Sequence, residues 1–274
     1  MIWNPRKRTA ALLPLLLSLL IPSAVLAQEA PQPSQSQTPA LLFGGVEPMV
    51  SGQKKVVDLL LAKKWREARN LAGQQFLALA GHVEKYPGLA ATALALEALA
   101  DAGLGDEGAA ACRWQAAQNV DPKLANADLS LFETAGAMLK RHPFQAPSAP
   151  NPETHRVTPP GKDPDQGGKG DAEVKRPEIL FQQPPVYTLA ARRERVSGKV
   201  VVEVIIDKGG NVTNPNILEP QPKGLDLAAV NAVCAWRFKP ATMKGKPVKV
   251  YYVLTVNFKV EEGPPPPSRS LDGG

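Results

Sequence analysis

Proline divides this chain before anything else can be said about its fold. Of its 28 prolines, ten stand between Pro143 and Pro185. Each lacks a backbone N–H and holds φ near −65°, which disfavours both helix interiors and central strands. With the Gly/Asp/Lys patch from Gly161 to Asp171, the spacing predicts a Pro/Gly-rich linker over 143–176. Such chain is semi-rigid at about 3.1 Å per residue, so it could reach on the order of 100 Å. The 274 residues are therefore read as two modest domains, 46–142 and 177–262, rather than one. At 43% hydrophobic residues there is enough apolar side chain for two cores, which excludes wholesale disorder. Only one segment approaches membrane-spanning length, which excludes a polytopic membrane protein.

That segment is N-terminal. Arg6-Lys7-Arg8 precede an apolar run from Ala10 to Ile21, then Pro22, then Val25-Leu26-Ala27. This is the pattern of an export signal over 1–27, with cleavage between Ala27 and Gln28. The alternative is an uncleaved inner-membrane anchor over residues 10–27, at the short end for a span and broken by Pro14 and Pro22. Both place the rest of the chain in the periplasm. Residues 28–45, opening QEAPQPSQSQTP, lack apolar periodicity and are predicted to be a disordered leader, as is the tail over 263–274.

The net charge of +6 becomes +3 without Arg6, Lys7 and Arg8. Residues 43–144 carry 11 basic and 11 acidic side chains, and residues 176–262 carry 13 and 8. No dense Lys/Arg run with interleaved aromatics occurs, so nucleic acid is not an expected partner. Cys112 and Cys234 fall in different domains; two cysteines make neither a disulfide framework nor a metal-ligand spacing. Cys112 is expected inside a helix. Cys234 is expected to be partly exposed, with an intermolecular disulfide as a minor alternative.

Between Val46 and His142 the periodicity is helical. Val56, Leu59, Leu60 and Lys63 form one stripe, and Trp65, Ala68, Leu71, Ala72, Gln75 and Phe76 the next. Leu89 to Ala102 is almost all Ala and Leu and stops at Gly103-Leu104-Gly105. Asp106 is placed to cap a helix running to Val120, and Leu129 to Arg141 supplies a last one. The reading is about five antiparallel helices. Gly105, Ala110, Trp114, Ala117 and Pro122 resemble the second half of a tetratricopeptide repeat. The alternative is an Ala-rich bundle. The repeat resemblance implies a protein ligand, which the sequence does not identify.

The C-terminal stretch changes period. Tyr187 to Arg195 reads as a short helix, and Lys199 to Asp207 as a strand with Val200, Val202, Val204 and Ile206 on one face. Asp207 to Asn211 reads as a hairpin turn and Val212 to Glu219 as the return strand. Pro215 puts that return strand at a sheet edge. Leu225 to Trp236 is an amphipathic helix, with Val230, Val233 and Trp236 on its buried side. After Lys244-Gly245-Lys246-Pro247, a long strand runs from Val248 to Val260, alternating throughout. The fold class is α+β: an all-α helical domain, a linker, then a small α-β-β-α-β module with a three-stranded antiparallel sheet. The first strand is central, so the last takes an edge with 13 residues of free backbone, a feature that marks a dimer contact or a site for an added peptide strand.

Tyr187 with Ala190-Ala191-Arg192, then Gly198-Lys199-Val200-Val201-Val202-Glu203-Val204, Asp207, Gly210, Val212-Thr213, Leu225-Asp226 and Ala228-Ala229-Val230 form a recognisable series. With Trp236-Arg237-Phe238-Lys239-Pro240-Ala241 and Val256-Asn257-Phe258, this series resembles the C-terminal domain of TonB-family energy transducers. The resemblance covers residues 177–260. It implies a domain that captures an extended segment of an outer-membrane transporter by adding it to the last strand. It also implies coupling to an inner-membrane motor of the ExbB/ExbD type. The partner-binding residues it suggests are Lys249, Tyr251, Val253, Thr255, Asn257 and Tyr187. Two positions differ from the family: Tyr187-Thr188 stands where a Tyr-Pro pair is usual. Residues 10–27 offer only Ser18 and Ser23 where the anchor usually carries a polar motor contact, often His.

No nucleophile elbow, phosphate loop or zinc signature occurs. Gly209-Gly210 sits in a hairpin and opens no helix. His82, His142 and His155 are dispersed. The expectation is a binding protein without catalytic residues, metal or cofactor. The leading expectation is support of energy-dependent transport across the outer membrane. The second is a soluble periplasmic adaptor that binds proteins through both domains without energy transduction. The third is an assembly protein that forms a homodimer through its free sheet edge.

Overall fold

A computed structural model describes residues 47–144, 154–156 and 174–260. The expected signal segment with its Ala27/Gln28 junction, the leader over 28–45 and the tail over 263–274 lie outside the described residues. The helical part runs α1 (Glu47–Leu61), α2 (Trp65–Ala80), α3 (Pro87–Gly103), α4 (Glu107–Val120) and α5 (Glu133–Lys140). Short 3₁₀ turns at Pro122–Asn126 and Ser130–Phe132 precede α5.

The Ala/Leu run becomes the central helix. Every residue of α3 from Leu89 to Asp101 is buried, and α3 packs between α2 and α4, because alanine lets neighbouring backbones approach closely. Pro87 starts α3 where its missing N–H costs nothing. Asp106 caps α4 as expected, its carboxylate accepting the Ala109 N–H at 3.1 Å. The last helix is shorter than the expected Leu129–Arg141. Glu133 has a positive φ of 46°, which separates the 3₁₀ turn from the α-helix.

The C-terminal part contains β1 (Thr154–Arg156), β2 (Val174–Lys175), β3 (Glu178–Phe181), α6 (Leu189–Arg193), β4 (Gly198–Ile206) and β5 (Val212–Glu219). It continues through α7 (Leu225–Cys234), β6 (Arg237–Lys239), β7 (Thr242–Met243), β8 (Lys246–Pro247) and β9 (Lys249–Phe258). The three-stranded antiparallel sheet is β9-β4-β5, with β4 central. Its register runs from Gly198 opposite Phe258 to Ile206 opposite Val250. Val200, Val202, Val204 and Ile206 line the core with Val250, Leu254, Val256 and Phe258, and α7 packs over them. The hairpin between β4 and β5 is fixed by Asp207, whose Oδ1 accepts the N–H groups of Gly209 at 2.8 Å and Asn211 at 2.9 Å. Gly210, at φ +82°, turns its carbonyl to accept the Phe238 N–H at 2.9 Å.

Two small sheets, β3-β6 and β2-β7-β8, were not expected from the sequence. Their strands are two to four residues long, too short to set up an alternation. A further departure is β1, which comes from the expected linker and pairs in parallel with Lys249–Tyr251. The central sheet therefore has four strands, in the order β1-β9-β4-β5.

The cysteines correct the sequence reading most clearly. Cys112 and Cys234 form an intramolecular disulfide between α4 and α7, and both are fully buried. The expected stripe of α7 is buried, but so are Leu227, Ala228 and Ala232 on its other sides. The helical body covers the face that a lone domain would leave in water, so Cys234 is inside. The same packing covers β5: the Asn214 N–H donates to Gln115 Oε1 at 2.7 Å. Helices and sheet are thus packed against each other directly, although the linker is long enough to hold them far apart.

Candidate partner-binding edge

The alternation of β9 sorts its side chains. Val250, Leu254, Val256 and Phe258 point into the core, leaving Lys249, Tyr251, Val253, Thr255 and Asn257 on the opposite face. Lys249, Thr255 and Asn257 are exposed, while Tyr251 and Val253 are half-buried. Their partners across β4 are Asn257 with Lys199, Thr255 with Val201, Val253 with Glu203 and Tyr251 with Ile205. The five expected residues of the last strand therefore share one face.

β4 pairs with one side of β9 along nearly its whole length. On the other side, β1 pairs with Lys249–Tyr251. From Tyr252 to Phe258 no other strand among the described residues occupies that side. The expected 13-residue edge is thus shorter, because the strand spans Lys249–Phe258 and its first three residues are already paired.

Tyr187 does not join the other five. Its ring stands edge-on to Phe258, with centroids 5.2 Å apart and planes at 87°, beneath the far end of β9. Its Oη is buried with no hydrogen-bond partner among the described residues. Tyr187, Arg192, Lys259 and Val260 line a cavity of about 350 Å³ there. The neighbouring Thr188, standing where the resembled family has proline, has its own task. Its Oγ1 accepts the Ala191 N–H at 3.1 Å, capping α6, and donates to the Lys223 carbonyl at 2.6 Å.

A second polar constellation, unnoticed in the sequence, lies between α3, α4 and α7. Arg113 is almost completely buried. Its Nε lies 3.3 Å from Glu97 Oε1 and donates to Asn231 Oδ1 at 2.6 Å, and its Nη1 pairs with Asp101 Oδ2. Asn231 Nδ2 donates to Glu97 Oε2 at 3.2 Å, and Arg69 Nε lies 2.6 Å from Asp101 Oδ1. Burial pushes the Asp101 carboxyl up to about 6, against the pull of Arg113 and Arg69. Burial likewise raises Asp226. Nearby, Arg237 pairs with the Asp106 carboxylate that caps α4. The signal was present: Glu97 and Asp101 are charges four apart within an apolar run, and Arg113 is a cation among alanines. Buried charges are retained where they find partners. Here those partners come from both parts of the molecule, which makes this cluster a polar lock between them.

Among the described residues, no group of three or more His, Cys, Asp or Glu could hold a metal ion. No helix among them is long and apolar enough to cross a membrane.

Residues 183–260 match the family model described as Gram-negative bacterial TonB protein C-terminal. A curated protein from Xanthomonas campestris pv. campestris named Protein TonB is 37% identical over 76 residues, 27% of this chain and 34% of that protein. The Protein TonB of Vibrio cholerae is 30% identical over 90 residues, 32% of this chain and 37% of that protein. The chain thus spans about a third of the length of these relatives. A solution structure of the Pseudomonas aeruginosa TonB C-terminal domain is 29% identical, covering 34% of this chain and 93% of that one, with a TM-score of 0.27.

Proposed function

We propose that this chain, which carries a TonB-type C-terminal domain over residues 183–260, is a cell-envelope protein that supports transport across the outer membrane by strand addition. The observation that carries the reading is the outer side of β9. Its backbone from Tyr252 to Phe258 has no other strand beside it among the described residues, and such an edge pairs readily with an extended segment. Main-chain hydrogen bonds supply the affinity. Tyr251, Val253, Thr255 and Asn257, alternating along one face, supply selectivity. Lys249 and Tyr251 lie where β1 already pairs. Tyr187 acts at the far end of the strand, where its ring supports Phe258 and its cavity receives whatever continues past the edge. The reading is binding without catalysis or cofactor. The segment bound belongs to an outer-membrane transporter, and an ExbB/ExbD-type motor supplies energy if residues 10–27 remain in the inner membrane.

A specific observation favours a second reading, a soluble periplasmic adaptor without energy transduction. The disulfide and the Arg113 cluster join the helical body to the TonB-type domain, so the linker does not separate the two as a spacer would. A rigid two-part body suits simultaneous binding of two proteins, one of them on the helical surface. The N-terminus of the native chain separates the readings: a soluble protein beginning at Gln28 favours the adaptor, an intact membrane-held chain the transducer.

Strand addition itself is tested by Thr255→Pro or Val253→Pro in the full chain. With far-UV circular dichroism unchanged, capture of transporter segments from solubilised outer membranes is expected to fall at least tenfold. Unchanged capture by a folded variant would refute last-strand addition.

A further inference from the structure

The edge that the proposed function requires is partly occupied by the chain itself. Thr154, His155 and Arg156 pair in parallel with Lys249, Val250 and Tyr251. This is strand addition carried out in cis, by a segment drawn from the proline-rich linker. We infer that this linker strand is a resident competitor for the partner edge. The inference rests on the reading of β9 as the partner edge.

Three observations support it. The first is isolation: Pro150 and Pro152 precede the strand, and Pro159 and Pro160 follow it. Proline interrupts a ladder, which limits the strand to a few residues and keeps it weak enough to leave. The second is burial: Thr154 is only 8% exposed, so its side chain is packed rather than left in solvent. The third is tethering. Residues 145–153 connect the strand to the end of the helical body, where the Phe144 N–H donates to Gln118 Oε1 at 3.3 Å. Residues 157–173 connect it to β2, which pairs with β7. A segment held on both sides by short tethers acts at an effective concentration on the order of millimolar. A partner meeting an edge occupied nine-tenths of the time sees its affinity reduced about tenfold.

The consequence is a graded gate. A partner segment can begin on the open part, Tyr252–Phe258, and then displace the linker strand from Lys249–Tyr251. A short segment that pairs with the open part alone avoids the competition.

The test uses the full chain and the double variant Thr154→Pro, His155→Pro. Consecutive strand residues point their N–H groups to opposite sides, so one of the two substitutions removes a ladder donor toward β9. Both lie in the linker strand, outside the hydrophobic core cluster. Hydrogen exchange at Lys249–Tyr251 is expected to accelerate at least tenfold in the variant, with β4 protection unchanged. A fluorescent synthetic peptide copying residues 150–160 is the binding probe. It is expected to bind the variant at least tenfold more tightly than the parent. Unchanged exchange at Lys249–Tyr251, or equal binding of the peptide by parent and variant, would overturn the inference. A peptide that binds the variant while no transporter segment binds either form would leave the resident strand in place and refute the transporter reading instead.

Discussion

At the scale of single residues, the buried charges at the helix–sheet contact give the account its sharpest consequences. Asp101 titrates near 4 in an unfolded chain, and burial lifts it to about 6 in the folded one. Between those values the folded state holds more protons than the unfolded, so this residue's contribution to stability falls as pH rises through the window. Thermal unfolding of the parent and of Asp101→Asn should therefore diverge with pH: relative to the variant, the parent loses stability from pH 4 to pH 7. A constant difference across that range would contradict the assignment. Gly224 gives a purely steric test. It stands at φ +71°, just before α7, and a Cβ there would come within 2.1 Å of the Ala80 carbonyl oxygen in α2. Gly245 has a similar φ of +78° with nothing within 4 Å. Gly245→Ala should cost about 1 kcal/mol from backbone strain alone, and Gly224→Ala about 2–4 kcal/mol, because backbone must also move. Equal costs in denaturant unfolding would mean that the contact between α2 and the start of α7 is loose.

At the scale of elements, α7 is buried on more sides than its apolar stripe predicts. The stripe Val230, Val233 and Trp236 is buried as its periodicity predicts, and Val200, Val202, Val204 and Ile206 form the core face of β4 as their alternation predicts. A periodic pattern names the side of an element that meets its own core. It does not reveal a second neighbour, because small residues such as Ala228 and Ala232 read equally well as exposed or as closely packed. Cys234 is for that reason buried where the stripe alone predicts partial exposure. β1 escaped for another: three residues, Thr154-His155-Arg156, between pairs of prolines carry no alternation, and their pairing is set by the open edge they meet. The disulfide provides a test at this scale. It closes a loop across a sequence separation of 122 residues, and loop entropy assigns such a link about 4–5 kcal/mol of stabilisation through the unfolded state. The Cys112→Ala, Cys234→Ala double variant, or full reduction, should lower unfolding stability by about 2–5 kcal/mol. A loss below about 0.5 kcal/mol would show that the polar lock alone joins the two parts.

At the scale of the whole molecule, the described residues form a helical body and a TonB-type module joined by a disulfide, a buried ion cluster and close helix contacts. The linker does not separate them; part of it returns to the sheet and lies on β9. In the proposed function what matters is which backbone remains open: the helices pack on β5, β4 holds the inner side of β9, and the outer side from Tyr252 to Phe258 has no other strand beside it among the described residues. The most direct measurement of that claim is site-specific photo-cross-linking in intact envelopes, with a photoreactive side chain at Thr255 or Asn257 and, as the comparison, at the exposed Leu131 of the helical body. The account predicts adducts between the β9 positions and an outer-membrane transporter, mapping to an extended segment of that transporter. Transporter adducts from Leu131, with none from Thr255 or Asn257, would contradict it.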